Sequence, residues 1–357
     1  MIQDIMNKKN CNELHLQYDK QSGCTFIIAL NTIYGKKGNG GTRMCHYSSV
    51  EEGIKDAVKL VNVMTKKCVV IGKKYNGGFS GAKGVIVGNP VTQKTPAMLR
   101  RFGQFVQTLC GRFQTGTDMN INLKDIEYMA EESDYIDGLK EGLGDTAIPT
   151  AYGILLAMKE LCKWKYGNES LKGKVIAVQG LGSVGRDLVK RLVEERAEVI
   201  ATDVNEQILQ LVKEEFGIRT VSPEEIYSVK CDIFSPNACG GILTKENIKK
   251  LKCELVIGAA NNPLSDELES VLEMKKKEII YVPDYTINIG GVFLSMCEVQ
   301  GRTLDYVMEK LREIIPTRLQ QIIRDSEKGD DTLFEAAERM VSQEMTGEII
   351  LDYPLKH

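Results

Sequence analysis

Residues 174–187 read "KVIAVQGLGSVGRD". The first seven, "KVIAVQG" (174–180), form a short and almost unbroken apolar run, which suits a parallel strand covered on both faces. Gly180, Gly182 and Gly185 follow in the spacing G-x-G-x-x-G and open a helix in which Val184, Leu188 and Leu192 recur four apart. In such a loop the first glycine permits the tight turn, the second lets backbone approach a pyrophosphate, and the third packs helix on strand. The next apolar run, "EVIATD" (198–203), ends on an acid, Asp203, 18 residues past Gly185. Strand, turn, helix and acid in this order predict a dinucleotide-binding unit with phosphates at the helix N-terminus. Asp203 would bond a free ribose 2′-hydroxyl and repel a 2′-phosphate, which favours NAD over NADP. The alternative is a sheet of the same kind that binds another nucleotide or none.

Working outward, the second half alternates strands with helices. "NEQILQLVKEEFG" (205–217) puts Ile208, Leu211, Val212 and Phe216 on one helical face and stops at Gly217. "SPEE" (222–225) reads as a helix start. "CDIFS" (231–235), "ELVIGAA" (254–260) and "IIYVPD" (279–284) read as further strands. This alternation predicts a doubly wound parallel sheet. In the first half, Ser49 and Glu52 suggest a capping box ahead of a helix carrying Ile54, Val58, Val61 and Met64 inward. "CVVIG" (68–72) reads as a strand, followed by a glycine loop and a second strand, "GVIVG" (84–88). Helices are expected behind Thr95 and Pro96, within 123–133, and over 303–327 and 331–346, with Pro316 kinking or interrupting the first of the last two. The fold class is therefore α/β with two domains. The expectation is an N-terminal catalytic domain over 1–137, joined by a C-terminal helix over 329–357, and a Rossmann-type NAD-binding domain over 138–328. A cleft is expected between them.

Composition narrows the function. The chain has 357 residues, 27% charged side chains and a net charge of −3, with no strongly basic block, so no nucleic-acid partner is expected. No apolar run approaches the ~20 residues of a membrane span, and "MIQDIMNKKNCNE" holds no signal-peptide core. Ten cysteines without a C-x-x-C pair suggest reduced thiols and a cytoplasmic location. Only three histidines exist, His15, His46 and His357, and none has metal-ligand spacing. A Ser–His–Asp hydrolase or a histidine-ligated zinc enzyme is thus excluded, no metal is expected, and acid–base work falls to Lys, Asp, Glu, Cys or Tyr.

The stretch "YNGGFSGAKGVIVG" (75–88) is not a P-loop, because no Gly-Lys-Ser/Thr follows its glycines. Glycines around one lysine, Lys83, let backbone approach a small ligand while the amine is confined. A second lysine, Lys67, lies upstream in "MTKK" (64–67). Two neighbouring ammonium groups lower each other's proton affinity, so one of such a pair can act as a base while the other binds an anion. Taken alone, Lys83 reads as a lysine in a surface turn.

A set of segments changes that balance: "GGTRM" (40–44), "MTKK", "GGFSGAKGVIVGNP" (77–90), "TGTDMN" (115–120), "TAYG" (150–153), "VQGLGSVG" (178–185), "TDVN" (202–205), "SPNACGG" (235–241), "GAANN" (258–262) and "PDYTINIGGV" (283–292). In this order they resemble the glutamate/leucine/phenylalanine/valine dehydrogenase family, closest to its leucine dehydrogenase branch. The resemblance implies reversible oxidative deamination of an L-2-amino acid to its 2-oxo acid and ammonia, with NAD as cofactor, in a homo-oligomer. It assigns Lys67 to the substrate α-carboxylate, Lys83 to activating water and polarising the 2-oxo group, and Asp118 to shuttling a proton on the substrate nitrogen. Gly40, Gly41 and Met64 would line the substrate site. Thr150, Asn261 and Asn288 would help place nicotinamide and substrate. Gly180, Gly182, Ser183, Val184, Gly185, Asp203 and Ala238 would hold NAD.

The pattern bends at two places. Lys67 and Lys83 are 16 apart, roughly four more than the resemblance implies, a surplus a loop absorbs at modest entropic cost. It lies in "VVIGKKYNGGF" (69–79) and is expected to bulge outward. The residue ahead of "GGTRM" is Asn39, where leucine-type enzymes are typically apolar. Past Val292, the position expected to touch the substrate side chain holds Ser295, as in glutamate-type enzymes. Asn39 and Ser295 would discriminate poorly for leucine and suit a polar 2-amino acid. A specialised biosynthetic enzyme acting on a 2-oxo acid or imine, and an inactive NAD-binding regulatory homologue, stay open beside deamination.

Overall fold

The computed structural model describes residues 2–8, 11–35, 37–138 and 142–346. The chain divides into two compact units. The first comprises the described residues of Met1–Asp145, Val292–Leu304 and Gln343 onward; the second comprises Thr146–Gly291 and Asp305–Ser342.

In the first unit the strands are β1 (Glu13–Asp19), β2 (Cys24–Leu30), β3 (Lys37–Asn39), β4 (Thr42–Cys45), β5 (Phe79–Val87) and β6 (Phe113–Gln114). The helices are α1 (Ile2–Lys8), α2 (Val50–Ile71), α3 (Pro96–Gln107) and α4 (Leu123–Ala130). The sheet order is β1-β2-β5-β3-β6, with β4 also paired to β5. β1 and β2 form a hairpin, β2 runs antiparallel to β5, and β3 and β4 run parallel to it. Alternation along β2 sends successive side chains to opposite faces. Phe26 and Ile28 pack with Phe102, Phe105 and Met129 of α3 and α4. Ile27 and Ala29 pack with Ile54, Val58 and Val61 of α2. The two apolar layers fix β5 between two helical covers, and β5 carries Lys83.

Two local expectations fail here. Residues 68–71 are the last turn of α2, not a strand; Cys68, Val69, Val70 and Ile71 are all buried, and Gly72 ends the helix by donating its N–H to the Cys68 carbonyl. A run of β-branched residues fits a strand equally well, and burial of a whole turn decided otherwise. Lys83 lies within β5, which begins at Phe79, and not in a loop. Between the two lysines α2 continues to Ile71 and is followed by a turn at 73–77 in which Lys73, Lys74 and Gly77 are exposed. Ser49 caps α2 through Glu52 N as expected, but Glu52 accepts from Ser48 N, one residue earlier than a capping box requires.

The second unit contains β7 (Val175–Gln179), β8 (Glu198–Thr202), β9 (Arg219–Thr220), β10 (Ile233–Pro236), β11 (Leu255–Val256) and β12 (Ile280–Tyr281). They form one parallel sheet in the order β12-β11-β10-β7-β8-β9. The chain winds outward from β7 in one direction and from β10 in the other, so the strand order reverses between them, as in a Rossmann-type sheet. The helices are α5 (Ala147–Tyr166), α6 (Ser183–Glu194), α7 (Glu206–Phe216), α8 (Lys245–Lys250), α9 (Glu267–Lys276), α10 (Asp284–Ile287), α11 (Gly290–Val299), α12 (Leu304–Gly329) and α13 (Leu333–Thr346). α11 starts in the second unit and continues in the first.

"SPEE" yields only a 3₁₀ turn, Glu225–Ser228, although Ser222 and Glu225 exchange the capping hydrogen bonds. Pro316 does not interrupt α12, whose buried face, including Leu311, Ile314, Ile315 and Leu319, holds the helix together across the lost backbone bond. The last helix, expected with the first domain, groups through Ser342 with the second. Phe334 stacks at 6.4 Å on Tyr281 of β12, and Ala337 and Met340 are buried behind it. Residues 347–357 of that expected C-terminal helix lie outside the described residues. The first boundary falls at 145/146 where 137/138 was expected.

Candidate active site

In the first unit, β5 delivers Lys83 to Asp118. Lys83 Nζ stands 2.6 Å from Asp118 Oδ2, and the lysine is 6% exposed. Asp118 sits in a tight turn closed by Ile121 N donating to the Asp118 carbonyl at 2.9 Å, and Asn120 anchors the turn to the Met44 carbonyl. A second cation reaches the same oxygen. Arg43 Nε donates to Asp118 Oδ2 at 2.9 Å while its Nη1 donates to Asp56 at 3.2 Å. Burial opposes the charge on Asp118, but Lys83 and then Arg43 outweigh it and hold the carboxyl well below the usual carboxylate range. Asp118 is therefore ionised, in a three-centre cluster with two cations.

Lys67 lies on α2 and is 4% exposed. The α2 helix reaches β5 where Gly81 leaves room: a Cβ there would overlap Thr65. Lys67 and Lys83 are each two residues past that contact. Gly40 and Gly41 link β3 to β4, both of which run parallel to β5. A Cβ on Gly40 would overlap the Ala82 carbonyl and stand 3.5 Å from Met64 Cε, and one on Gly41 would stand 3.1 Å from Asp118 Cβ. The glycines thus let this backbone pack directly against Ala82 of β5 and Thr117 beside Asp118, next to Lys83 and with Met64 at its side.

Asn39 and Ser295 also meet. Asn39 Nδ2 lies 2.7 Å from Ser295 Oγ, and both reach Asp137 Oδ2, at 3.2 and 2.7 Å. Gln114 donates to Asp137 Oδ1. Val292, near the start of α11, is half-buried.

In the second unit, Gly180 follows β7 with φ +93°, a left-handed conformation that suits glycine, and a Cβ there would press on Ala238 at 2.7 Å. A Cβ on Gly185 would overlap the Gly180 carbonyl, whereas Gly182 faces open space. Gly182 caps α6 without any side-chain hydrogen bond, Ser183 is exposed, and Val184 is half-buried. Asp203 closes the loop by accepting from Leu181 N at 2.6 Å and Asn205 N at 2.8 Å. Beside it lies a cavity of about 400 Å³ lined by Gly180, Asp203, Glu224, Tyr227, Ala238 and Lys250, among others. Gln179 Oε1 and Thr202 Oγ1, of two further lining residues, are buried without a hydrogen-bond partner. Open amides at a helix N-terminus, a glycine cradle and orphaned polar atoms fit a dinucleotide. Asn288 Nδ2 donates to the Ala259 carbonyl at 2.6 Å and to Asn261 Oδ1 at 3.2 Å, and Thr150 Oγ1 accepts from Gly291 N at 3.0 Å.

Among the described residues, no cluster of three or more His, Cys, Asp or Glu is placed to hold a metal ion, and no helix is long and apolar enough to cross a membrane. Sequence reasoning missed Arg43, Gln114 and Asp137. Arg43 lies inside "GGTRM", but nothing in that stretch marks Asp118, 75 residues on, as its partner. Asp137 stood in what read as a linker.

A parallel sheet with a glycine crevice at its switch point, and a separate sheet carrying a buried lysine paired to a partly exposed carboxylate, fit a nicotinamide-dependent dehydrogenase class. Two family profiles match: "Glu/Leu/Phe/Val dehydrogenase, dimerisation domain" over residues 12–135 and "Glutamate/Leucine/Phenylalanine/Valine dehydrogenase" over 202–347. The chain is 38% identical to a phenylalanine dehydrogenase of Lysinibacillus sphaericus over 97% of its own length and 92% of the relative's. It is also 38% identical to a leucine dehydrogenase of Thermoactinomyces intermedius, with 96% and 93% covered. The solved L-tryptophan dehydrogenase from Nostoc punctiforme superposes with a TM-score of 0.82 at 32% identity, covering 98% of this chain and all of that one. The chain belongs to the glutamate/leucine/phenylalanine/valine dehydrogenase family. It is an amino acid dehydrogenase of the reversible, oxidatively deaminating type, and these relatives do not favour the biosynthetic or inactive alternatives.

Proposed function

We propose that the protein deaminates an L-2-amino acid with Lys67, Lys83 and Asp118 as its working groups and NAD as its cofactor. The observation that carries this reading is the 2.6 Å contact of Lys83 Nζ with Asp118 Oδ2 beside the Gly40–Gly41 link. Lys67 binds the substrate α-carboxylate as a buried cation, with Gly40, Gly41 and Met64 as walls. A bound nicotinamide would supply hydride acceptance, and loss of the hydride from Cα would leave the substrate as an imine. Lys83 then orients and activates the water that adds to C2 and, in the reverse direction, polarises the 2-oxo group. Asp118 takes a proton from the substrate nitrogen and returns it to the departing ammonia. A carboxylate held this low is a weak base, so its proton transfer needs the substrate ammonium close enough to loosen the Lys83 and Arg43 contacts.

The loop Gly180, Gly182, Ser183, Val184, Gly185 with Ala238 takes the pyrophosphate, and Asp203 takes the adenosine ribose. Thr150, Asn261 and Asn288 serve the nicotinamide end. The choice of NAD over NADP rests on Asp203 and Glu224, two carboxylates lining the 400 Å³ cavity, which a 2′-phosphate would have to face. We assign the protein to the cytoplasm, supported by ten free cysteines. Its assembly as a homo-oligomer is supported by the dimerisation domain of the matching family and by the edge strand β1, where Leu16 and Tyr18 are exposed. Reduced-cofactor absorbance with a panel of L-amino acids, run with NAD and with NADP, tests the reading. Turnover with NAD supports it, and no turnover with either cofactor overturns it.

A further inference from the structure

Asp137 is 6% exposed, and among the described residues every hydrogen bond its carboxylate accepts comes from a neutral side chain: Asn39, Ser295 and Gln114. Among the described residues no Lys, Arg or His forms an ion pair with it. A charge of its own sign acts on it, that of Glu298, one turn beyond Ser295 on α11. Burial first, with Glu298 adding to it, pushes the Asp137 carboxyl up to about 7 against the hydrogen bonds that favour its charge. A buried carboxylate without a countercharge is costly, and in a binding protein the missing countercharge can come from the ligand.

Its place in the unit is specific. Gly116, midway between Gln114 and Asp118, backs onto Asp137: a Cβ at Gly116 would stand 3.0 Å from the Asp137 carbonyl and 3.7 Å from its Cβ. Asn39 continues directly into Gly40 and Gly41, which flank Ala82 and Asp118. The Asn39–Asp137–Ser295 cluster is therefore tied by both of its backbone arms to the Lys83–Asp118 pair. Ser295 is only half-buried and forms the accessible edge of the cluster.

We propose that Asp137, presented by Asn39 and Ser295, is the side-chain-recognition group of the substrate site and selects an L-2-amino acid whose side chain ends in a cation, an amine or a guanidinium. This rests on the deamination reading above. The cation would displace the Ser295 hydroxyl from, or share it on, Asp137 Oδ2, and Asn39 and Gln114 would keep the carboxylate oriented.

The test is steady-state deamination of L-lysine, L-ornithine and L-arginine against L-norleucine, L-leucine and L-phenylalanine, with NAD and separately with NADP. The expected result is a kcat/KM for at least one basic substrate about thirty-fold or more above norleucine, the discrimination of a close buried charge pair. Asp137→Asn should reduce that ratio by a similar factor through KM and kcat/KM, while its melting profile reports whether it folds. Should it fail to fold, Asp137→Ser is the second variant and should lose the same preference; an unchanged preference in whichever variant folds overturns the proposal. Faster turnover of norleucine, leucine or phenylalanine than of every basic substrate overturns this proposal and leaves deamination standing. No turnover of any amino acid overturns deamination and this proposal with it.

Discussion

Lys83 Nζ and Arg43 Nε converge on one oxygen, Oδ2 of Asp118, at 2.6 and 2.9 Å. Two cations on a single carboxylate oxygen leave that acid charged and the lysine in a fixed position. If this pair performs the proton steps, Lys83→Met should lower kcat/KM by about 10²–10⁴-fold, the usual worth of positioned acid–base groups. Steady-state rates together with an unchanged circular dichroism spectrum check it; a loss under tenfold would contradict the assignment.

Arg43 should act through Asp118. With Arg43→Met one of the two cations is gone, so the Asp118 carboxyl rises from its depressed position. The acid limb of the kcat/KM profile should move to higher pH, while the same substitution at a merely structural arginine would lower the plateau without moving the limb. The pH profile distinguishes the two.

Neighbouring glycines should respond differently. At Gly185 a methyl group would overlap the Gly180 carbonyl, so Gly185→Ala should cost stability, ~2 kcal/mol or more as a core overpacking. Gly182 has open space around it, so Gly182→Ala should melt like wild type yet raise the KM for the cofactor. Thermal melts and cofactor titration separate these effects.

Asp203 should set the cofactor preference. Asp203→Ser removes the charge that faces a 2′-phosphate, and the ratio of NADP to NAD in kcat/KM should rise about tenfold or more, a like-charge repulsion of ~1.4 kcal/mol relieved. A ratio that stays put would show that Glu224 or another group makes the choice.

Asp137 predicts a pH dependence of stability. Its folded carboxyl stands near 7, above the ordinary value of 3.8. Between these two values the unfolded chain gives up a proton that the native state keeps. Its contribution to stability is therefore fully present below about pH 4, declines as pH rises towards 7, and is flat beyond. The span is on the order of a few kcal/mol. Melting temperatures at pH 5 and pH 8 should differ more in wild type than in Asp137→Asn. Asp118 has the opposite sign: its depressed carboxyl stabilises above its ordinary value, and that contribution is lost as pH falls below it.

Much of the second unit was legible because its requirements are local. The run 174–203 needs a covered strand, a turn and an acid at fixed spacing, and each of these is a property of neighbouring residues; β7, α6 and β8 lie where those residues put them. Where two local preferences tied, the reading failed. Residues 68–71 are β-branched enough for a strand and became a helical turn, and Phe79–Lys83 carried enough glycine for a loop and became a strand. Packing of α2 on β5 settled both, since it rewards burial whichever backbone conformation delivers it.

The chain's own order of residues determined that a glycine crevice, two lysines and an acid in "TGTDMN" would be present, because motif chemistry needs only residue type and spacing. Tertiary structure alone decided that Arg43 would share Asp118 with Lys83, and that Asp137 and Ser295, 158 positions apart, would bond at 2.7 Å. Contacts of that separation come from how sheets and helices stack, and no stretch of sequence encodes the resulting partner. For the same reason the charge state of Asp137 could not be read from its neighbours along the chain: burial sets it, and burial exists only after folding.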